Sequence, residues 1–198
     1  MSFAERGIGP AGGFVGDGFI GRPLVPADVV LDYDAVMASR DFLYHWEQDP
    51  PYPPADFTVA DNLVDLEHMD TWHRNGSRYT YTVMNVGESQ ALGCVYLLPS
   101  DDPVYRTAEV ISHDGTDFED IDATVSFWVR PSTWEQGFER TLLAAVIEWL
   151  RDDWSLERSV IITNEHLGHQ IRTIESLGLT RRFDYHRERD IYRSCAYA

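Results

Sequence analysis

Cysteine is scarce. Cys94 and Cys195 are the only two, about a hundred positions apart, in no metal-ligand spacing and no CxxC pair, and they read as reduced intracellular thiols. Long apolar runs are missing as well. None approaches the roughly 18 residues that span a bilayer, and the start MSFAERGIGPAGG has acid and glycine where a secretory signal needs a basic start and an apolar centre, so a cytoplasmic protein is expected. Basic residues number 16 against 33 acids, a formal charge of -17. That balance argues against a grip on nucleic acid or an anionic membrane, since both need clustered Lys and Arg. It suits cationic partners such as amines, or simply keeps a surface soluble. No serine stands in a Gly-x-Ser-x-Gly setting, so a covalent hydrolase has no support.

What is present fills one core. With 198 residues, 43% of them hydrophobic, a single domain over residues 19–198 is expected. Residues 1–18 hold six of the 14 glycines and few large apolar side chains, and read as a flexible leader. Prolines 23 and 26 make Phe19 to Val30 an edge strand or extended arm. Asp32 then caps a helix to about Glu47, with Val36, Leu43 and Trp46 inward. A stiff connector, Asp49-Pro50-Pro51-Tyr52-Pro53-Pro54, stops it. Thr58-x-x-Asp61 opens a second helix, with Val59, Leu63, Leu66 and Met69 inward up to Trp72, and Asn75-Gly76 ends it. Tyr79 to Met84 and Ala91 to Leu98 form a hairpin about Asn85-Val86-Gly87-Glu88, and Tyr105 to Ile111 is a third extended piece.

The chain is organised around Ile121 to Trp154. Ala123, Val125, Phe127 and Val129 alternate with Thr124, Ser126 and Trp128 at the period of a strand. Pro131 ends the strand, and Ser132-Thr133-Trp134-Glu135 offers a capping-box start to a long helix whose stripe is Phe138, Leu142, Val146, Trp149 and Leu150. Gly137 then falls within the first turns, where a close backbone approach by a ligand or strand would account for it. Helix N-termini bind anions through unpaired amides and the positive end of the dipole. Ser159 to Ile162 is a short apolar run suited to a buried parallel strand. Leu167, Ile171, Ile174 and Leu177 mark another helix, stopped by Gly178, and Thr180 to Tyr185 and Ile191 to Tyr192 finish as strands. This order is α/β with a mixed sheet.

Other constellations have two readings. His166 and His169 with His186 or Asp184 could bind a metal, or they mark an exposed helical face. His113-Asp114 fits turn chemistry. Tyr44, Trp46, Tyr52, Phe57 and Trp72 either close the core or line a wall suited to a cationic amine.

The strand, turn and helix from Phe127 to Arg140 resemble the cofactor site of the GNAT N-acetyltransferases, where an Arg/Gln-x-x-Gly-x-Gly/Ala turn wraps the pyrophosphate of acetyl-CoA. Registered on Gly137, the turn reads Trp134-Glu135-Gln136-Gly137-Phe138-Glu139, and of the motif only the central glycine matches. The element order is similar from about residue 20 to 190. Asp34-Ala-Val-Met-Ala-Ser-Arg-Asp41 with Trp46, Phe57-Thr58-x-x-Asp61-Asn62 with Asp65-Leu66, and Leu92-Gly93-Cys94-Val95-Tyr96 closing at Pro99 look like a bacterial branch whose turn is degenerate. The resemblance implies a GNAT-like α/β fold with a mixed central sheet of about six or seven strands flanked by about four helices.

It also implies a site. The backbone of Phe127, Trp128 and Val129 would pair with the pantetheine arm, amides from Gln136, Gly137, Phe138, Glu139 and Arg140 would face the pyrophosphate, and Asn164 would touch the pantetheine. Acetyl-CoA or another acyl-CoA would be the co-substrate, without a metal, and the acceptor a small-molecule or peptide amine. The places of the family's strand glutamate and helix tyrosine hold Ala123 and Ile174, which leaves water or Asp122 next door as base. Relatives are often dimers, and a strand near Ile191 would serve as an exchange edge. The alternative is a GNAT-shaped binding protein that has lost transfer. Glu135 and Glu139 favour it by satisfying the helix dipole where a pyrophosphate should sit, while Arg130 and Arg140 could neutralise them.

Overall fold

The computed structural model describes residues 2–48 and 52–198. Asp49, Pro50 and Pro51 of the expected proline-rich connector lie outside the described residues. Strand periodicity produces a nine-stranded mixed sheet of order β1-β2-β3-β4-β6-β7-β9-β8-β5. The outer half comprises β1 (Phe14–Gly16), β2 (Phe19–Pro23), β3 (Tyr79–Asn85) and β4 (Ala91–Pro99). The other half comprises β5 (Glu109–Ser112), β6 (Ala123–Val129), β7 (Ser159–Asn164), β8 (Arg181–His186) and β9 (Ser194–Tyr197). The β6–β7 pair is parallel and every other pairing is antiparallel.

Five α-helices cover the two faces: α1 (Val29–Ala38), α2 (Arg40–Glu47), α3 (Val59–Asn75), α4 (Phe138–Asp152) and α5 (Gly168–Ser176). The odd positions of β6 meet α4 through Leu142, Leu143, Val146 and Trp149, whereas Trp128 joins Ala35, Val36, Phe42 and Leu43 on the opposite face. Thr58 caps α3 in a complete capping box with Asp61, and Gly76 closes it in the left-handed conformation.

Several sequence expectations change. The sheet has nine strands instead of six or seven, and five α-helices replace four. Residues 2–18 are not a loose leader. Phe3 stacks on Tyr79 at 5.0 Å, Phe14 packs on Trp149 at 4.7 Å, and the Tyr79 and Tyr81 hydroxyls donate to the Ile8 and Ala11 carbonyls. A few aromatic anchors suffice to order a glycine-rich segment against a hydrophobic face. The helix expected over 32–47 is two helices broken at Ser39, and it starts at Val29, so Asp32 lies buried inside α1 instead of capping it. Val59 is 41% exposed, whereas Leu66 is buried as expected and Asn62 joins it on the inward line of α3. The last strand begins at Ser194. Ile191 sits in the preceding loop, 48% exposed, which removes it as a strand edge for a second copy. Among the described residues no helix is long and apolar enough to cross a membrane.

Candidate active site

The parallel pairing of β6 and β7 runs from Ala123↔Ser159 to Ser126↔Ile162 and then stops. Beyond it β6 stays paired to β4 as far as Gly93↔Val129, while Thr163 and Asn164 of β7 pair with β9. The two strands therefore part over a wedge. A carbonyl facing such a gap must find a donor, and Phe127 O has two, the Trp46 indole at 3.0 Å and Gln170 Nε2 at 3.1 Å. Gln170 also accepts from the Thr163 hydroxyl at 2.6 Å, so α5 is tied to both strands at the fork.

Below the wedge the chain turns. Pro131–Gln136 is a 3-10 segment, and the capping-box start expected at Ser132 does not occur. Gly137 takes φ 70° and ψ 16°, and α4 begins after it at Phe138. Its glycine is required by that left-handed conformation rather than by a close neighbour, since a Cβ there would meet nothing within 4 Å. The Arg140 and Thr141 amides donate to Gly137 O, so the Arg140 amide, expected at the pyrophosphate, is already used. Glu139 is buried and turned toward α5, where it accepts from Thr173 Oγ1 at 2.9 Å and lies 3.4 Å from Gln170 Nε2 and from His169 Nε2. Its carboxylate is thereby committed to α5. Arg130 does not neutralise the turn either. It donates to the Ala91 carbonyl and pairs with Asp34 at 2.6 Å.

Asn164 is buried at the end of β7, donating to the His45 carbonyl and accepting from the His166 amide, both at 3.0 Å. Asp122 lies at the other end of β6. Its carboxylate accepts from the Glu157 and Arg158 amides at 2.7 and 3.0 Å and organises the loop into β7, so the strand bulge that would free it as a base is absent. His166 stacks between His45 (4.3 Å) and Tyr192 (4.4 Å), whereas His169 packs on Trp134 at 4.3 Å. The two histidines do not converge, and among the described residues no three His, Cys, Asp or Glu side chains gather as metal ligands. His113 faces Asp184 at 3.2 Å.

Above the wedge, on the face of α1 to α3, is a cavity of about 370 Å³. Ser126 and Trp128 of β6 form part of its floor, and Trp46, Tyr52 and Trp72 are among its walls. Of the expected aromatic wall these three reach the cavity, while Phe57 is buried against Tyr33 and Tyr44 is 45% exposed. Asp32 also lines it. Asn62 Nδ2 donates to one of its oxygens at 2.9 Å and the Cys94 thiol approaches the other at 3.7 Å. Burial pushes the Asp32 carboxyl up to about 6 and raises Asp65 as well. Burial likewise holds the Cys94 thiol and the Tyr52 and Tyr96 phenols well above their ordinary values, so these remain protonated. The Trp128 indole donates to the Tyr96 hydroxyl at 3.0 Å.

Sequence reasoning missed Asp32, Asn62 and Gln170 as site residues, yet a signal exists. Each is a polar residue at an inward helical position, four residues before Val36, Leu66 and Ile174.

Two neighbouring parallel strands that part above a turn and a helix N-terminus, beside an acid- and aromatic-lined cavity, define the class of acyl-CoA-dependent N-acyltransferase folds. The chain matches the acetyltransferase (GNAT) domain model over residues 20–180 and belongs to that family, a class of enzymes that use acetyl-CoA. Among solved structures it resembles the ribosomal-protein-S5-alanine acetyltransferase of Vibrio fischeri (TM-score 0.65, 16% identity, 93% of this chain and 94% of that one). A second is RimL, a ribosomal L7/L12 α-N-protein acetyltransferase in complex with coenzyme A (TM-score 0.66, 13% identity, 96% of each chain). A third is the microcin C7 self-immunity acetyltransferase MccE in complex with acetyl-CoA and AMP (TM-score 0.68, 14% identity, 95% of each chain). At these identities the likeness is one of fold. No curated protein matches the sequence significantly.

Proposed function

We propose that this GNAT protein transfers the acetyl group of acetyl-CoA to the α-amine of a peptide. The observation that carries the reading is the β6–β7 wedge opening beside a cavity that combines carboxylates with aromatic walls, a lining suited to an ammonium group. Ribosomal-protein N-terminal acetyltransferases among the structural neighbours make a peptide amine the first acceptor to try.

The turn is degenerate as a phosphate cradle, but its geometry fits one. Gly137 has open space on the side a Cβ would fill, and Glu139 is committed to α5. The Gly137 amide already donates to Trp134 O at 2.9 Å, so the amides of Gln136 and Phe138 would receive the pyrophosphate, the backbone of Phe127 to Val129 would pair with the pantetheine arm, and Asn164 would order the far side of the wedge. Acetyl-CoA would supply an activated acyl carbon. For the arm to reach Phe127 O, the Trp46 indole must first leave it.

The test is calorimetric titration of the folded protein with acetyl-CoA and free CoA, repeated on Gly137→Val. Affinity near micromolar that the variant loses supports this site. A wild-type protein that binds neither is a GNAT-fold binding protein without transfer, and unchanged affinity in the variant removes the turn from the site.

A further inference from the structure

Acetyl transfer to an amine that is protonated in water needs a proton acceptor. The place expected for a strand glutamate holds Ala123, fully buried, and Asp122 next door is held by two backbone amides at the far end of β6. The acceptor must be sought among groups lining the cavity. Arg78 and Arg187 are each paired with a carboxylate, Asp102 and Asp190, and the tyrosines stay protonated. Carboxylates remain, and Asp32 has the distinguishing placement. It contacts Cys94, whose registered partner across the β4–β6 pair is Trp128, and residues so paired project from the same face of a sheet. The Asp32 carboxylate therefore stands over the strand that bounds the wedge.

It is also built in. Asp32 is 4% exposed, Asn62 is fully buried, and Asn62 Nδ2 both donates to Asp32 and reaches the Val29 carbonyl at 3.3 Å. An amide side chain of similar size would fill the same space and still accept from Asn62 without the desolvation penalty of a charge. A buried carboxyl with two neutral donors, no cationic partner among the described residues and one side open to a cavity is the arrangement that keeps a proton exchangeable near neutral pH.

We propose that Asp32 takes the proton of the acceptor ammonium, with Asn62 and Cys94 as positioning residues that fix its two oxygens. This rests on the acetyl-transfer reading above. An N–H bond of the ammonium breaks and its proton passes to the Asp32 carboxylate. The freed lone pair forms the N–C bond to the acetyl carbonyl carbon, the C–S bond breaks with its electron pair on sulfur, and the surplus proton on nitrogen ends on that thiolate. Asp32 then returns its proton to solvent. Burial and the like charges of Asp28 and Asp65 raise its proton affinity, while Asn62 and Cys94 lower it; Arg22 neutralises Asp28, and the Tyr52 and Tyr96 phenols face the group uncharged.

The experiment follows thiol release from acetyl-CoA with an alanine-initiated tetrapeptide amide between pH 5 and 9, for the wild type, Asp32→Asn and Cys94→Ala. Acetyl-CoA affinity is measured on each by calorimetry. The wild-type kcat should rise through a limb near pH 6. Asp32→Asn should lose that limb and about 100-fold or more in kcat, with acetyl-CoA affinity unchanged. Cys94→Ala should move the limb upward and lower kcat most at the acid end of the profile, because a donor to the carboxylate is gone. An Asp32→Asn enzyme with an unchanged profile overturns the proposal, and so does a wild type that binds acetyl-CoA but releases no thiol with the peptide. Should Asp32→Asn lose its cooperative melt, Cys94→Ala decides alone: a displaced limb supports the assignment and an unmoved limb overturns it. A wild type that fails to bind acetyl-CoA instead removes the acetyl-transfer reading, and the proposal with it.

Discussion

Ionising Asp32 inside the interface of α1 and α3 opposes folding, and the sign of its pH dependence follows from linkage. Its proton affinity is raised from about 4 in the unfolded chain to about 6 in the fold. Between those values the folded state binds more protons, so stability contributed by this group is complete below pH 4 and lost as pH rises to 6. The loss is about 3 kcal/mol above pH 6. Asp32→Asn should therefore be more stable than the wild type at pH 8 by up to that amount and no different near pH 4, as read by urea denaturation. A variant that gains stability while losing turnover is what a carboxylate kept for function produces. The Trp46 indole gives a second prediction at this scale. It occupies Phe127 O, which the proposed pairing with the pantetheine arm would need, so Trp46→Phe should tighten acetyl-CoA binding by about 2- to 10-fold, the worth of one neutral hydrogen bond.

Among the elements, α5 is the one that holds the fork open. Gln170 bonds Phe127 of β6 and Thr163 of β7 and approaches Glu139 of α4, while Glu139 also receives Thr173. Gln170→Leu would strand the Thr163 hydroxyl and leave Phe127 O to Trp46 alone. Leaving buried polar groups short of partners costs about 1–3 kcal/mol each, so a loss of about 2–4 kcal/mol in denaturant-melt stability is expected, with the wedge distorted and acetyl-CoA affinity reduced. The break at Ser39 matters for the same region. It sets α2 free of the direction of α1, and α2 carries both Trp46 and His45, whose carbonyl Asn164 holds from β7.

At the scale of the whole molecule, 33 acids against 16 bases give the protein a net negative field. That field attracts a cationic acceptor and repels the anionic co-substrate, and salt screens both effects. Raising NaCl from about 0.05 to 0.5 M should increase KM for an arginine-bearing peptide several-fold and tighten acetyl-CoA binding, a pair of opposite responses visible in one steady-state series. All 16 basic residues are arginine, so the protein offers acetyl-CoA no side-chain amine of its own, and thiol release reports on the added acceptor. Of the two sheet edges, β1 and β5, the latter (Glu109–Ser112) is exposed along its whole length, with Val110 and Ile111 37% and 41% accessible.

The sequence by itself determined the elements whose signals are local. The alternation in β6 sets its bounds at Ala123 and Val129, the Thr58 to Asp61 box starts α3, the apolar run at Ser159 to Ile162 becomes the parallel β7, and Gly178 stops the chain after α5 in the left-handed conformation. It also carried the resemblance that the domain match bears out. Where each polar side chain points was decided by the tertiary structure alone. Asp32 finds Asn62 thirty residues away, Gln170 finds Phe127 across 43, and Arg130 turns to Asp34 across 96. Glu139, which reads as an obstacle to phosphate, is drawn instead into α5 by Thr173. Backbone periodicity is set by neighbours in the chain, whereas the fate of a buried polar group is set by partners that only folding brings within hydrogen-bond reach.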